Sequence, residues 1–183
     1  MKTIEIMNEE HKHIMRMLVV IRKCCFRILQ GEEIIYEDFD KIIDFIRNYA
    51  DNHHHKKEED ILFVKMVNYL GEAAEKAVNQ GMLVEHDLGR LHVKELVTAL
   101  EKVKDGEEEA RLDVIANAIS YTHLLQRHID KEDRVIYKFA ERNLDEHVKN
   151  TIDEECKCYE ENNEKTKNKY LLVLKELEEK YLI

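Results

Sequence analysis

Histidine and glutamate recur at one spacing in two distant parts of the chain. Glutamate follows histidine by four positions at His54 and Glu58, at His55 and Glu59, and at His128 and Glu132. On a helix, side chains four residues apart lie on one face about 6 Å apart along the axis, so each pair can direct an imidazole and a carboxylate at one point. Imidazole with carboxylate is a donor set that suits iron, manganese or zinc.

The same layout occurs twice in the chain. The stretch HHKKEEDILF at residues 54–63 returns as HIDKEDRVIY at residues 128–137, which is 74 positions later. A shorter echo pairs EEH at residues 9–11 with VEH at residues 84–86, which is 75 positions later. Each half of the chain therefore offers a lone histidine and then a histidine with glutamate four positions on. This duplication predicts two similar helical hairpins.

Apolar neighbours on each helix indicate which of these side chains face the interior. His54 and Glu58 share a stripe with apolar residues, whereas His55 and Glu59 line up with acidic and polar residues, and we expect that second face to be solvated. The same comparison favours one histidine on each of the other three helices. The candidate metal ligands are His11, His54, Glu58, His86, His128 and Glu132. The histidines expected at the surface or in supporting roles are His53, His55, His92, His123 and His147.

Four imidazoles and two carboxylates in one helical core require positive charge between them. An uncompensated buried carboxylate costs several kcal/mol, so a cation is expected there. Two carboxylates that can bridge, with two imidazoles for each metal, predict a pair of iron ions with an oxo or hydroxo bridge. Such a set leaves coordination positions unfilled, where a small ligand can bind.

The composition indicates which elements position these residues. There is no proline, glycine occurs five times and 37% of residues are charged, so long helices can run unbroken and the fold class is all-α. Apolar spacing predicts four long helices over about residues 4–30, 38–70, 82–104 and 107–143, with a short helix at 72–80.

The predicted helices favour one architecture. Four long helices with short connections are typical of an up-down-up-down four-helix bundle, which we assign to residues 1–142. Residues 143–183 are predicted to be a helical extension, whose amphipathic end packs against the bundle or forms a contact with an oligomer or protein partner.

Charge and hydropathy exclude several partners. The net charge of −10 repels nucleic acid, and no run is apolar enough for a signal peptide or a membrane span, so we expect a cytoplasmic protein. The four cysteines lack the spread of a disulfide framework, and we expect packing roles for reduced thiols. They are Cys24, Cys25, Cys156 and Cys158.

The order His, His-x-x-x-Glu, His, His-x-x-x-Glu resembles the hemerythrin-like, HHE cation-binding family over about residues 4–142. The resemblance implies that Glu58 and Glu132 are bridging carboxylates, and that the four candidate histidines are terminal iron ligands. Oxygen-carrying hemerythrins have a second histidine four residues after the third-helix ligand, where this chain has Arg90. Asp133 occupies the position, five residues after the histidine, that those carriers use, and a role for it stays open beside Glu132.

Three functions are compatible with this pattern. The first is a module that binds or senses oxygen or nitric oxide at the di-iron centre. The second, which the resemblance permits, is an enzyme that turns over peroxide or nitric oxide, or that supplies iron for damaged iron-sulfur clusters. The third is a structural metal site that stabilises a partner-binding helix at residues 164–183. A ferritin-like site is disfavoured, because its Glu-x-x-His string occurs once here, at Glu10 and His13.

Overall fold

The protein is helical almost throughout. A computed structural model describes residues 1–182, and no strand occurs within that range. The five long helical segments are α1 (Lys2–Leu29), α2 (residues 36–70), α3 (residues 72–104), α4 (residues 111–143) and α5 (Glu146–Tyr181). The prediction of an all-α fold is confirmed, whereas the up-down-up-down order stays a prediction.

Glycines mark three of the connections between these segments. Gly31, Gly71 and Gly106 have positive φ angles of 88°, 70° and 96°. Such angles are available to glycine at little steric cost, which explains why the helices end there. The predicted break near Gly81 is wrong, because the short helix continues without interruption into the third one. A widened turn at Val78–Met82 carries the chain through that glycine.

Several turns of the long helices are wider than in an α-helix. Segments Ile46–His55 and Glu58–Phe63 of α2 are π-helical, and so is Glu132–Ile136 of α4. A π turn closes its hydrogen bond over five residues, so successive side chains diverge by a smaller angle than in an α-helix. These turns contain most of the His-x-x-x-Glu residues, which agrees with the frequent occurrence of π turns at functional sites.

The apolar core is divided into two clusters. The larger cluster contains Ile14, Phe45 and Leu125, and the smaller one contains Met7, Leu62 and Ile136. The candidate ligands of α1, α2 and α4 lie along each helix between residues of the two clusters, so apolar side chains enclose them from both ends of the molecule.

The last helix packs on its own chain. Tyr170, Leu174 and Tyr181 of α5 are buried in the larger cluster, and Glu178 forms an ion pair of 2.5 Å with Arg16 of α1. The expectation that this helix packs against the bundle therefore holds for the described residues. Within residues 1–182, no helix combines the length and the apolar character needed to cross a bilayer.

Truncation of the buried face of α5 should destabilise the whole fold. Leu174 is fully buried, whereas Leu172 is 69% exposed on the same helix. We expect Leu174→Ala to lower the free energy of unfolding in urea by about 2 to 5 kcal/mol. The matched variant Leu172→Ala should change it by less than about 0.5 kcal/mol. Equal small effects would show that α5 does not belong to the cooperative core.

Candidate metal centre

All six predicted ligands converge inside the molecule, where each is at most 2% exposed. The Glu132 carboxylate lies 3.3 Å from Nε2 of His11 and 3.1 Å from Nε2 of His128. The Glu58 carboxylate lies between the other two imidazoles, 3.7 Å from Nε2 of His54 and 3.6 Å from Nε2 of His86. Each glutamate thus contacts one histidine from each half of the chain.

The side chains form two groups that share a carboxylate. The first group contains His11, His54, Glu58 and Glu132, and the second contains His55, Glu58, His86 and His128. Within each group, the possible ligand atoms lie within 4.8 Å of one another. Because Glu58 belongs to both groups, the two groups are adjacent, and each could hold a metal ion.

The two groups contain five imidazoles, and each donates a hydrogen bond from Nδ1 to a carboxylate. The Nδ1 donors, with acceptors and distances, are His11 to Asp133 (2.7 Å), His54 to Glu10 (2.9 Å), His55 to Asp51 (3.4 Å), His86 to Glu59 (2.7 Å) and His128 to Glu85 (2.9 Å). A donor bond at Nδ1 fixes the tautomer that leaves Nε2 with a lone pair. This support of the imidazole is typical of metal-binding histidines.

The supporting acids follow the duplication of the sequence. Glu10 and Glu85, which precede the lone histidines, each hold the second histidine of their own half. Glu59 and Asp133, which follow the shared glutamates, each hold the lone histidine of the opposite half. Sequence reasoning missed the roles of the first three acids, although the EEH and VEH echo contains two of them. Asp133 supports His11 and does not line the centre.

The electrostatics of the centre demand positive charge. Burial, and then the neighbouring Glu132, raise the pKa of Glu58 well above its usual range. Burial also disfavours ionised Glu132, but His128 and His11 lower the pKa of that carboxyl well below its usual range. Burial lowers the pKa of His11, yet Asp133 and Glu132 raise it to about 9. Without a metal, protons on imidazoles therefore supply the compensating charge.

Several buried polar atoms at the centre have no hydrogen-bond partner among the described residues. They are Nε2 of His54, Oε2 of Glu58, and both carboxylate oxygens of Glu132. Each such atom costs roughly 1 to 3 kcal/mol if it stays unpaired, and native proteins contain few of them. Nitrogen and carboxylate donors of this kind fit iron, and a cation among them would satisfy all four atoms.

The prediction that His55 faces solvent is wrong. His55 is 5% exposed, and its ring stacks on that of His86 at a centroid distance of 3.9 Å. The physical reason is the π-helical segment Ile46–His55, in which three consecutive histidines diverge less than α-helical spacing predicts. His53 is also buried, and its Nε2 donates to Glu10 at 2.9 Å. The exposed positions predicted for His123 and His147 agree with the structure, and His92 is half-buried.

A buried lysine links the centre to α5. Lys57 is fully buried and pairs with Glu10, which supports His54, and with Glu160 of α5. Its ammonium thereby serves as the cation of the cluster that Glu10, His53 and Glu160 form. In the second half, Lys131 pairs with Glu85, but this lysine is 43% exposed and has no second acidic partner among the described residues. Sequence reasoning missed Lys57, and the only signal was its match to Lys131 in the repeat.

Comparison with known families agrees with this geometry. The family model described as "Hemerythrin HHE cation binding domain" matches residues 2–140, which is most of the chain. The chain belongs to this family, and the resemblance found in the sequence is confirmed. No curated protein and no solved structure matched the chain.

Removal of the Lys57 charge should destabilise the metal-free protein strongly. Lys57→Met leaves the Glu10 carboxylate buried without its ammonium partner, and breaking such a pair costs about 3 to 5 kcal/mol. Lys56, the next residue, is exposed and pairs with Asp60 at 3.3 Å. Lys56→Met should therefore cost less than about 1 kcal/mol in the same urea titration. A loss for Lys57→Met no larger than that of Lys56→Met would contradict the pairing.

Proposed function

We propose that the chain holds two iron ions and reversibly binds a small ligand at them, namely oxygen, nitric oxide or peroxide. The observation that carries this proposal is the pair of buried donor groups that share Glu58 and contain unpartnered nitrogen and oxygen atoms. Membership of a cation-binding family supports the metal, and the mixture of imidazole and carboxylate favours iron.

The residues divide between the two ions by their groups. His11 and His54 would hold the first ion, and His86 and His128 would hold the second. Glu58, which belongs to both groups, and Glu132, which lies near both His11 and His128, would be shared between the two ions. Bound iron supplies redox-active, electrophilic positions for a small ligand. The chain contributes the fixed orientation of the imidazoles, because a carboxylate holds each Nδ1 and keeps Nε2 directed inward.

Burial limits the ligand to a small molecule. The six predicted ligands are at most 2% exposed, so there is no room beside them for a large molecule. A separate cavity of about 140 Å³ borders His55 and His86 on the side of the second ion. Tyr137 stacks on His11 at 5.5 Å and donates a hydrogen bond of 2.5 Å to Glu58. Its counterpart in the first half is Phe63, which has no hydroxyl group.

The alternative is an enzyme that consumes nitric oxide or peroxide, or that supplies iron for the repair of iron-sulfur clusters. The Tyr137 hydroxyl favours turnover, because it places a hydrogen-bond donor against a shared carboxylate and 3.4 Å from Nε2 of His11. The described residues around the centre otherwise hold the imidazoles in place, which is what reversible binding needs.

Anaerobic loading with ferrous iron tests the proposal. We expect two irons per chain, and a change in the near-ultraviolet and visible spectrum on addition of oxygen or nitric oxide that reverses when the gas is removed. Glu58→Ala should lose iron and this spectral change, because it removes the shared ligand. Glu9→Ala, at an exposed glutamate of α1, should behave like the wild type.

Two outcomes would contradict reversible binding. An iron-loaded wild type without any spectral response to either gas would exclude a ligand-binding centre. Catalytic consumption of nitric oxide or peroxide over many cycles, abolished by Glu58→Ala and preserved in Glu9→Ala, would establish the enzyme instead. Circular dichroism of each variant confirms that the helices are retained.

A further inference from the structure

The duplication of the two halves breaks at three positions around the second ion. At these positions the residue near the second ion is polar and its counterpart in the repeat is apolar. The pairs are His55 and Ile129, Asp51 and Leu125, and Arg90 and Met15. The ligands, their supporting acids and the paired lysines are duplicated. These three differences therefore distinguish the surroundings of the second ion from those of the first.

Asp51 links the other two polar residues, because it contacts both His55 and Arg90. The Arg90 guanidinium donates to Asp51 at 2.7 Å and to Glu59 at 2.8 Å. Asp51 accepts the Nδ1 hydrogen of His55, and Glu59 accepts that of His86. One arginine therefore holds two acids that orient two neighbouring imidazoles, and a planar fork with several donors is well suited to this task.

His55 belongs to the second donor group, whose possible ligand atoms lie within 4.8 Å of one another. Its ring centroid lies 3.9 Å from that of His86, with the two planes nearly parallel at 10°, and 5.7 Å from that of His128, with the planes at 79°. A rotation of the His55 or the His86 ring would direct both Nε2 lone pairs at one ion. The ring centroids of His11 and His54, at the first ion, are 4.5 Å apart. Stacking on His86 alone gives no reason for a carboxylate at Nδ1 of His55, whereas that support is shared with all four predicted histidine ligands.

We propose that His55 is a fifth histidine ligand, which binds the second ion through Nε2 alongside His86 and His128. Arg90 is then a positioning residue for two of these imidazoles. The first ion keeps two imidazoles, because Ile129 stands at the position that corresponds to His55 and offers no donor atom. The first ion is therefore the one with an open position for the small ligand. This inference rests on the two-iron centre of the proposed function.

Substitutions that separate ring stacking from coordination test this assignment. His55→Phe keeps an aromatic ring against His86 but removes the nitrogen lone pair. His55→Gly leaves a space beside the existing cavity that can admit free imidazole. The matched control is His92→Gly, at a half-buried histidine that contacts Asn117, belongs to neither donor group and touches none of the supporting acids.

We expect His55→Phe and His55→Gly to weaken binding of the second iron by at least about 100-fold in titrations against a chelator. Imidazole should restore the second iron to His55→Gly. Pyrrole, which has the same ring shape and no available lone pair, should not restore it. His92→Gly should bind two irons, with or without imidazole.

Other results would overturn the assignment. They are retention of both irons with wild-type affinity by His55→Phe, and equal restoration of His55→Gly by imidazole and pyrrole. Should His55→Gly fail to fold, as circular dichroism would reveal, His55→Phe alone decides the matter, because it keeps a somewhat larger aromatic ring stacked on His86.

Mössbauer spectra of protein loaded with ⁵⁷Fe separate this inference from the proposed function. We expect His55→Phe to shift or remove the signal of one iron, and azide to shift the signal of the other. A wild type with two irons that ignores azide and both gases would reject the proposed function and leave the His55 assignment intact. If azide shifts the signal of the same iron that His55→Phe affects, the assignment of the open position to the first ion is rejected.

Discussion

Two glutamate side chains that are buried side by side define the central constraint of this protein. Glu58 and Glu132 lie among imidazoles between two apolar clusters, where two negative charges cannot persist without cations. In the metal-free chain, Asp133 and Glu132 raise the pKa of His11 to about 9, and Glu132 raises that of His128 to about 10, although burial opposes both shifts. Metal ions would replace these imidazole protons, so the same charges that make the empty centre unfavourable make it selective for cations.

Charged residues of alternating sign surround the two glutamates and pair with one another. Each of the five imidazoles in the two donor groups donates its Nδ1 hydrogen to an acid, and Lys57 or Lys131 in turn pairs with Glu10 or Glu85. The alternation of charge fixes side chains that would otherwise have many rotamers, because a buried acid without a partner is costly. Lys57 carries the network to Glu160, so the last helix contacts the support of the centre as well as the core.

Much of this could be predicted from the sequence, because the signals were local or repeated. The absence of proline and the apolar periodicity predicted the helices, and the 74-residue repeat selected six side chains that lie together in the structure. His55 was misplaced because helical spacing was taken as α throughout, and no residue pattern marks the π segment Ile46–His55. Glu10 and Glu160 could not be paired with Lys57 from the sequence, since their contact depends on how three helices pack.

The most direct test of the account is anomalous diffraction at the iron absorption edge from crystals of the iron-loaded chain. Two peaks should appear about 3.5 to 4 Å apart, with Glu58 and Glu132 between them. Nε2 atoms of His11 and His54 should lie about 2 Å from one peak, and those of His55, His86 and His128 about 2 Å from the other. A single peak, or two peaks with either glutamate turned away from both, would contradict it.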